Sequence, residues 1–208
     1  FLSVSLRKQR TESTRDGGTG KMNDGGTGRG GPDRLERALS TQEIRDVLAR
    51  YARGVDRADG ALLKSCYHAD AIEEHGGNYT GNAFEYVDGA VGRIRTMGVM
   101  QHLLGTSHIE FDGDTAWVET YLWTFLRITN EGRGTDTFTG GRLFDRFERR
   151  GGEWKIAHRR TIFDWNRDVP SSEGWCCGFF DPTRAGMHLG RKDSTDLSYD
   201  RDGASSRP

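Results

Sequence analysis

Between Ser40 and Ile94 apolar residues recur every three or four positions, whereas from Val99 to Trp165 they recur every second position. The chain therefore reads as helices first and strands second. Ser40 and Glu43 form the S-x-x-E pattern of a capping box, and Ile44, Val47, Leu48, Tyr51, Ala52 and Val55 follow as one apolar stripe. Asp56 stands at the edge of that stripe. Asp59 predicts the cap of a short helix over 60–67, and Asn82 with Glu85 predicts a third helix with Phe84, Val87, Val91 and Ile94 inward. Long strands are predicted over 100–111, 115–129, 135–149 and 153–165, separated by Asp-Gly, Gly-Arg-Gly and Gly-Gly turns. This order is an α+β arrangement.

The second long strand is apolar on both faces, with Trp117, Tyr121, Trp123 and Phe125 on one and Ala116, Val118, Leu122 and Leu126 on the other. Helices can cover one face only. A second subunit is expected on the other, giving a homodimer or homotrimer.

Residues 1–39 are expected to be a disordered leader, because between Glu12 and Arg34 the only large apolar residue is Met22. The stretch contains Asp16-Gly-Gly-Thr-Gly-Lys21 and its echo Asp24-Gly-Gly-Thr-Gly-Arg29. Neither is a phosphate loop, since Arg15 stands where that loop needs its first glycine and Met22 where it needs Ser or Thr. One domain is expected over 40–166, followed by a partly ordered tail over 167–208. In the tail, Trp175, Cys176, Cys177, Phe179 and Phe180 form the apolar part expected to pack, and the polar residues 191–208 the more dispensable part.

With 208 residues and a formal net charge of −1, nothing in the overall field argues for nucleic acid or an anionic membrane. No apolar run approaches the roughly 18 residues that span a bilayer. Three cysteines without a C-x-x-C pair argue against a disulfide framework and a zinc knuckle, and point to a reducing, cytoplasmic setting.

Proton transfer is the chemistry these residues suit. An imidazole is the side chain poised to take a proton near neutral pH, which nominates His102 as base. A carboxylate on its other ring nitrogen would fix the tautomer and stabilise the imidazolium, a role open to Asp56. A phenol such as Tyr51 can donate to a carbonyl or leaving oxygen, though its stripe position equally suits plain packing. Arg159 can stabilise departing negative charge. Strict alternation places it with Lys155 and Ala157, opposite Trp154, Ile156 and His158, so it reaches a pocket only if that face lines one. His68, Asp70, Glu74 and His75 match no standard metal site and read as a solvated helix-to-strand connection.

Tyr51-Ala-Arg-Gly-Val-Asp56, Met100-Gln-His102-Leu-Leu-Gly105, Asp112-Gly-Asp-Thr-Ala-Trp117 and the run from Gly140 to Arg159 together resemble the SnoaL-like branch of the nuclear transport factor 2 superfamily. The resemblance covers about 40–165. Scytalone dehydratase, bile-acid dehydratase and hexachlorocyclohexane dehydrochlorinase are members. It implies a cone of three helices on a curved antiparallel sheet, enclosing an apolar pocket and working without metal or cofactor. It also implies an Asp56–His102 catalytic pair, with Tyr51 and Arg159 as further pocket groups. Where scytalone dehydratase carries a second histidine and two polar pocket residues, this chain has Leu126, Gly141 and Leu143. A more apolar pocket is implied, lined by Phe84, Trp123, Leu126 and Leu143 and suited to a hydrophobic ring.

The leading expectation is a cofactor-independent lyase, a dehydratase or related eliminating enzyme, acting on a small hydrophobic cyclic substrate. The alternatives are an isomerase or cyclase using the same pair, a module that binds small molecules without turnover, and the small subunit of a ring-hydroxylating oxygenase.

Overall fold

A proline opens the first helix. In the computed structural model, which describes residues 32–200, α1 spans Pro32–Asp56 and so begins eight residues before Ser40. Ser40 is a buried interior position rather than a cap. Proline suits a first helical position because its missing N–H has no partner to lose there, and Asp33 favours the helix start. Leu35 and Leu39 in this extension are exposed, so burial periodicity carried no sign of it. The expected leader therefore lies outside the described residues as far as residue 31, and its last eight residues are helical.

The stripe of α1 is buried at Ile44, Val47, Leu48, Tyr51 and Val55. Asp59 caps α2 (Gly60–Ser65) by accepting from the Leu62 N–H at 3.0 Å. Asn82 caps α3 (Ala83–Thr96) by accepting from Phe84 and Glu85. Between these helices the expected solvated connection is a strand instead. β1 (Tyr67–His75) pairs antiparallel with β2 (Tyr79–Asn82) on one side and parallel with a later strand on the other. Its ionisable residues hid the inward alternation of Tyr67, Ala71 and Glu73, all buried.

β3 (Met100–Asp112), β4 (Thr115–Asn130), β5 (Arg133–Arg150) and β6 (Glu153–Pro170) form an antiparallel meander, and the six strands lie in the order β2-β1-β6-β5-β4-β3. The sheet is curved and unclosed, with the helices against its inner face. β-Bulges supply the bends. One lies in β3 between Leu104 and Ser107, one in β6 opposite Gly140 and Gly141, and one at Ala157, where Arg146 pairs His158 but Phe147 pairs Ile156. The glycine pair is required by close approach. A Cβ on Gly141 would lie 2.2 Å from the Ile162 carbonyl oxygen, and one on Gly140 would lie 2.2 Å from Trp165 Nε1.

The inner face joins Ala116, Val118, Leu122, Leu143, Phe147 and Ile156 to the helix stripes in one apolar core. The outer face of β4 leaves Trp117, Tyr121 and Trp123 exposed, with Phe144 and Trp165 beside them on β5 and β6.

Candidate active site

β3 is an edge strand, so half of its backbone N–H groups find no partner in β4. One of them is satisfied by α1. His102 donates its backbone N–H to Asp56 Oδ2 at 3.1 Å, while His102 Nδ1 lies 2.7 Å from Asp56 Oδ1. The carboxylate thus grips both main chain and ring of one residue. The two side chains are each 15% exposed, sheltered but within reach of a ligand. Because Nδ1 is engaged by an acceptor it carries the proton, which leaves Nε2 with a free lone pair. On the inner face His102 is flanked by Met100 and Leu104, and Thr124 lies across from it.

A second polar constellation lies deeper. Glu73, Arg159 and Asp145 stand side by side on β1, β6 and β5 in one row. All three are fully buried. Arg159 donates Nε and Nη2 to the two oxygens of Asp145, each at 2.7 Å, and its guanidinium lies 3.9 Å over the Tyr51 ring. Burial opposes the guanidinium charge, but Asp145, together with Tyr67 and Tyr51, outweighs it and holds Arg159 well above its ordinary pKa. Nη1 is buried without a hydrogen-bond partner. Tyr67 donates to Glu73 Oε2 at 2.9 Å, and His75 Nδ1 lies 3.2 Å from Glu73 Oε1 and 3.1 Å from the Tyr86 hydroxyl. Burial pushes the Tyr51 phenol up to about 12, against the pull of Arg159, so it stays protonated.

Arg159 reaches this row because of the bulge at Ala157. Strict alternation would have set it opposite Trp154 and Ile156, whereas the extra residue turns Trp154, Ile156, Arg159 and Thr161 all inward. The expected separation of Arg159 from Trp154 and Ile156 is thereby corrected. Trp123 is corrected too: it is 58% exposed on the outer face, with its ring edge-on to Trp165 at 5.2 Å, and so cannot line an inner pocket. Leu126 and Leu143 do lie on the inner face, across from Met100 and Thr120 respectively. Phe84 is half-buried against the core on α3.

A concavity of about 1720 Å³ forms an open groove between the ends of α1 and α3 and the C-terminal segment. It reaches Asp56 and Met100 but is not lined by His102, Tyr51 or Arg159. The tail that borders it reverses the expected division. Phe179 is 81% exposed, whereas the polar stretch docks: Lys192 donates to the Ile94 and Met97 carbonyls at 3.1 and 3.2 Å, and Asp196 is buried. Composition missed this because the contacts are made by caps and ion pairs, not apolar area. Asp145 and Glu73 were missed as well, although acidic residues at inward-alternating strand positions were the available signal.

Among the described residues no group of three or more His, Cys, Asp or Glu side chains is placed to hold a metal ion, and no helix is long and apolar enough to cross a membrane. All three cysteines are free, Cys66 being buried.

The SnoaL-like domain family matches residues 36–160. The chain belongs to the SnoaL-like family. This SnoaL-like protein is similar in fold to hexachlorocyclohexane dehydrochlorinase LinA, with 20% identity, a TM-score of 0.60 and coverage of 76% of this chain and 99% of that one. It is similar also to LinA-type3 from Novosphingobium barchaimii, at 20% identity and TM-score 0.57 over 75% and 97% of the two chains. A candidate scytalone dehydratase from Novosphingobium aromaticivorans shares 18% identity and a TM-score of 0.59, over 65% of this chain and 91% of its own. No curated protein matches the sequence significantly.

Proposed function

We propose that this SnoaL-like protein is a cofactor-independent lyase that eliminates water or another leaving group from a small hydrophobic cyclic substrate. The observation that carries the reading is the 2.7 Å contact between His102 Nδ1 and Asp56 Oδ1, which leaves Nε2 free to act as a base. In the reaction Nε2 takes a proton from a substrate carbon, the C–H electrons form the new double bond, and the leaving group departs with its bonding pair. Asp56 stabilises the imidazolium so formed. Tyr51, still protonated at neutral pH, is assigned as donor to the departing or carbonyl oxygen. It precedes Asp56 by five residues, about 7.5 Å along a helix axis, a span one ring can bridge. Arg159 is assigned to steady developing negative charge through its unpartnered Nη1.

The fold similarity to dehydrochlorinases supports the elimination class, as does membership of the SnoaL-like family. An isomerase is the second reading, favoured by the same free Nε2, since returning the proton to another carbon needs no leaving group. A screen of ring compounds in deuterated buffer separates them. Loss of a leaving group with the abstracted hydrogen released to solvent and a new double bond in the product supports the lyase, and deuterium incorporation at constant composition apart from the label supports the isomerase. Binding without either reaction would overturn both.

A further inference from the structure

Asp56 is the last residue of α1, an unfavourable place for a carboxylate, because the carbonyl end of a helix carries partial negative charge and helix ends fray. The chain then enters a strained turn. Ala58 has φ 51°, Ala58 N–H bonds to Val55 O, and Asp59 N–H bonds to Gly54 O, the pattern of a Schellman close with alanine where glycine is usual. Such a conformation persists only where neighbours over-determine it. The neighbours here come from the far end of the chain. Asp196 meets Arg57 Nε at 3.4 Å, and that nitrogen is buried with no hydrogen-bond partner. Tyr199 donates to Asp59 Oδ2 at 3.1 Å, and Arg53 donates to Ser198 O at 3.3 Å while its guanidinium lies 4.7 Å over the Tyr199 ring.

The tail therefore holds the residue three before Asp56, the residue after it and the residue three after it. It is itself folded for this task. Asp196 accepts from the Arg191 and Ser198 N–H groups at 2.8 and 3.0 Å and caps the 3₁₀ turn Leu197–Tyr199. Lys192, which lines the groove together with Asp56, closes the C-terminal carbonyls of α3 on its other side. These contacts span both helix ends that border the mouth beside the dyad.

We infer that residues 190–199 are a strap that aims Asp56 at His102, with Asp196 and Tyr199 as positioning residues acting through Arg57 and Asp59. The inference rests on the dyad reading above for its catalytic consequence, but the geometry it concerns is measurable without turnover. Misplacing a catalytic group by about 1 Å costs on the order of 10²-fold in rate. Asp196→Asn should lower kcat by up to that factor with KM little changed, Tyr199→Phe should act in the same direction more weakly, and Asp196→Glu should recover part of the loss.

The test is nitrogen-15 NMR of the full chain, following the His102 Nδ1–H signal and its exchange with water, with circular dichroism as the check on folding. A protected Nδ1–H in the parent that exchanges rapidly in Asp196→Asn and Tyr199→Phe, both folded, supports the strap. Unchanged protection in both overturns it. Should His102→Ala keep full turnover while the tail variants still lose protection, the catalytic reading fails and the strap stands. Should the tail variants lose turnover with Nδ1–H protection intact, the strap fails and the dyad stands.

Discussion

Arg159 and Asp145 face each other across β5 and β6 as a two-pronged ion pair with neither side chain exposed. Removing one partner leaves an unpaired charge in the core, whereas removing both takes out the two opposite charges together. Arg159→Met should cost about 3–5 kcal/mol, and Arg159→Met with Asp145→Leu distinctly less than the two single losses added. Urea unfolding of the three variants measures this. Additive losses would show that the pair is not coupled.

The dyad makes a kinetic claim. His102→Ala should reduce turnover by about 10²–10⁴-fold with the fold intact, the usual contribution of a general base. Asp56→Asn should also impair turnover, because an amide cannot stabilise imidazolium. The double variant should be scarcely worse than the worse single one. Full activity in His102→Ala would remove the elimination mechanism.

Acid stability should carry the mark of Glu74. Arg160 donates to both its oxygens at 2.9 and 2.8 Å and His158 Nε2 lies 2.6 Å away. Hydrogen bonds from Arg160, and then from His158, hold the carboxyl at about 2. A depressed carboxyl stabilises the fold above its unfolded pKa and ceases to do so as pH falls through the folded one. The stability gap between parent and Glu74→Gln should thus be full above about pH 5 and shrink towards pH 2, modest throughout because the site is partly solvated. A gap independent of pH over that range would contradict it.

Gly141 should tolerate no side chain. The 2.2 Å approach of a Cβ to the Ile162 carbonyl oxygen is to backbone, which cannot rotate away. Gly141→Ala is expected to lose about 1–3 kcal/mol or more, read from thermal or urea midpoints. An unchanged midpoint would mean that the bulge opposite it can relax.

The outer sheet face is proposed as the homo-oligomer contact, a dimer or trimer, since Trp117, Tyr121, Trp123 and Trp165 are 42–60% exposed on contiguous strands. Sedimentation of the parent should give the oligomer, and Trp123→Arg should shift it towards monomer. A monomeric parent at micromolar concentration would end this proposal.

The local steps of the fold were legible in the sequence because period and capping act within a few residues. The stripe of α1, the caps Asp59 and Asn82 and the spans of four long strands all follow from side chains near one another in the chain. The closeness of Asp56 to His102 was legible only through family resemblance, since nothing local ties a helix end to an edge strand. Tertiary structure decided the rest. One bulged residue at Ala157 turned Arg159 inward, because side-chain direction in a strand reverses with every added residue. A parallel pairing with β6 made a strand of Tyr67–His75 and buried Glu73 beside Arg159. The polar tail found its place through Asp196, Lys192 and Tyr199, whose partners lie about 95–140 positions away. Ion pairs and caps between distant segments leave no periodicity in a sequence, so only the assembled chain brings them together.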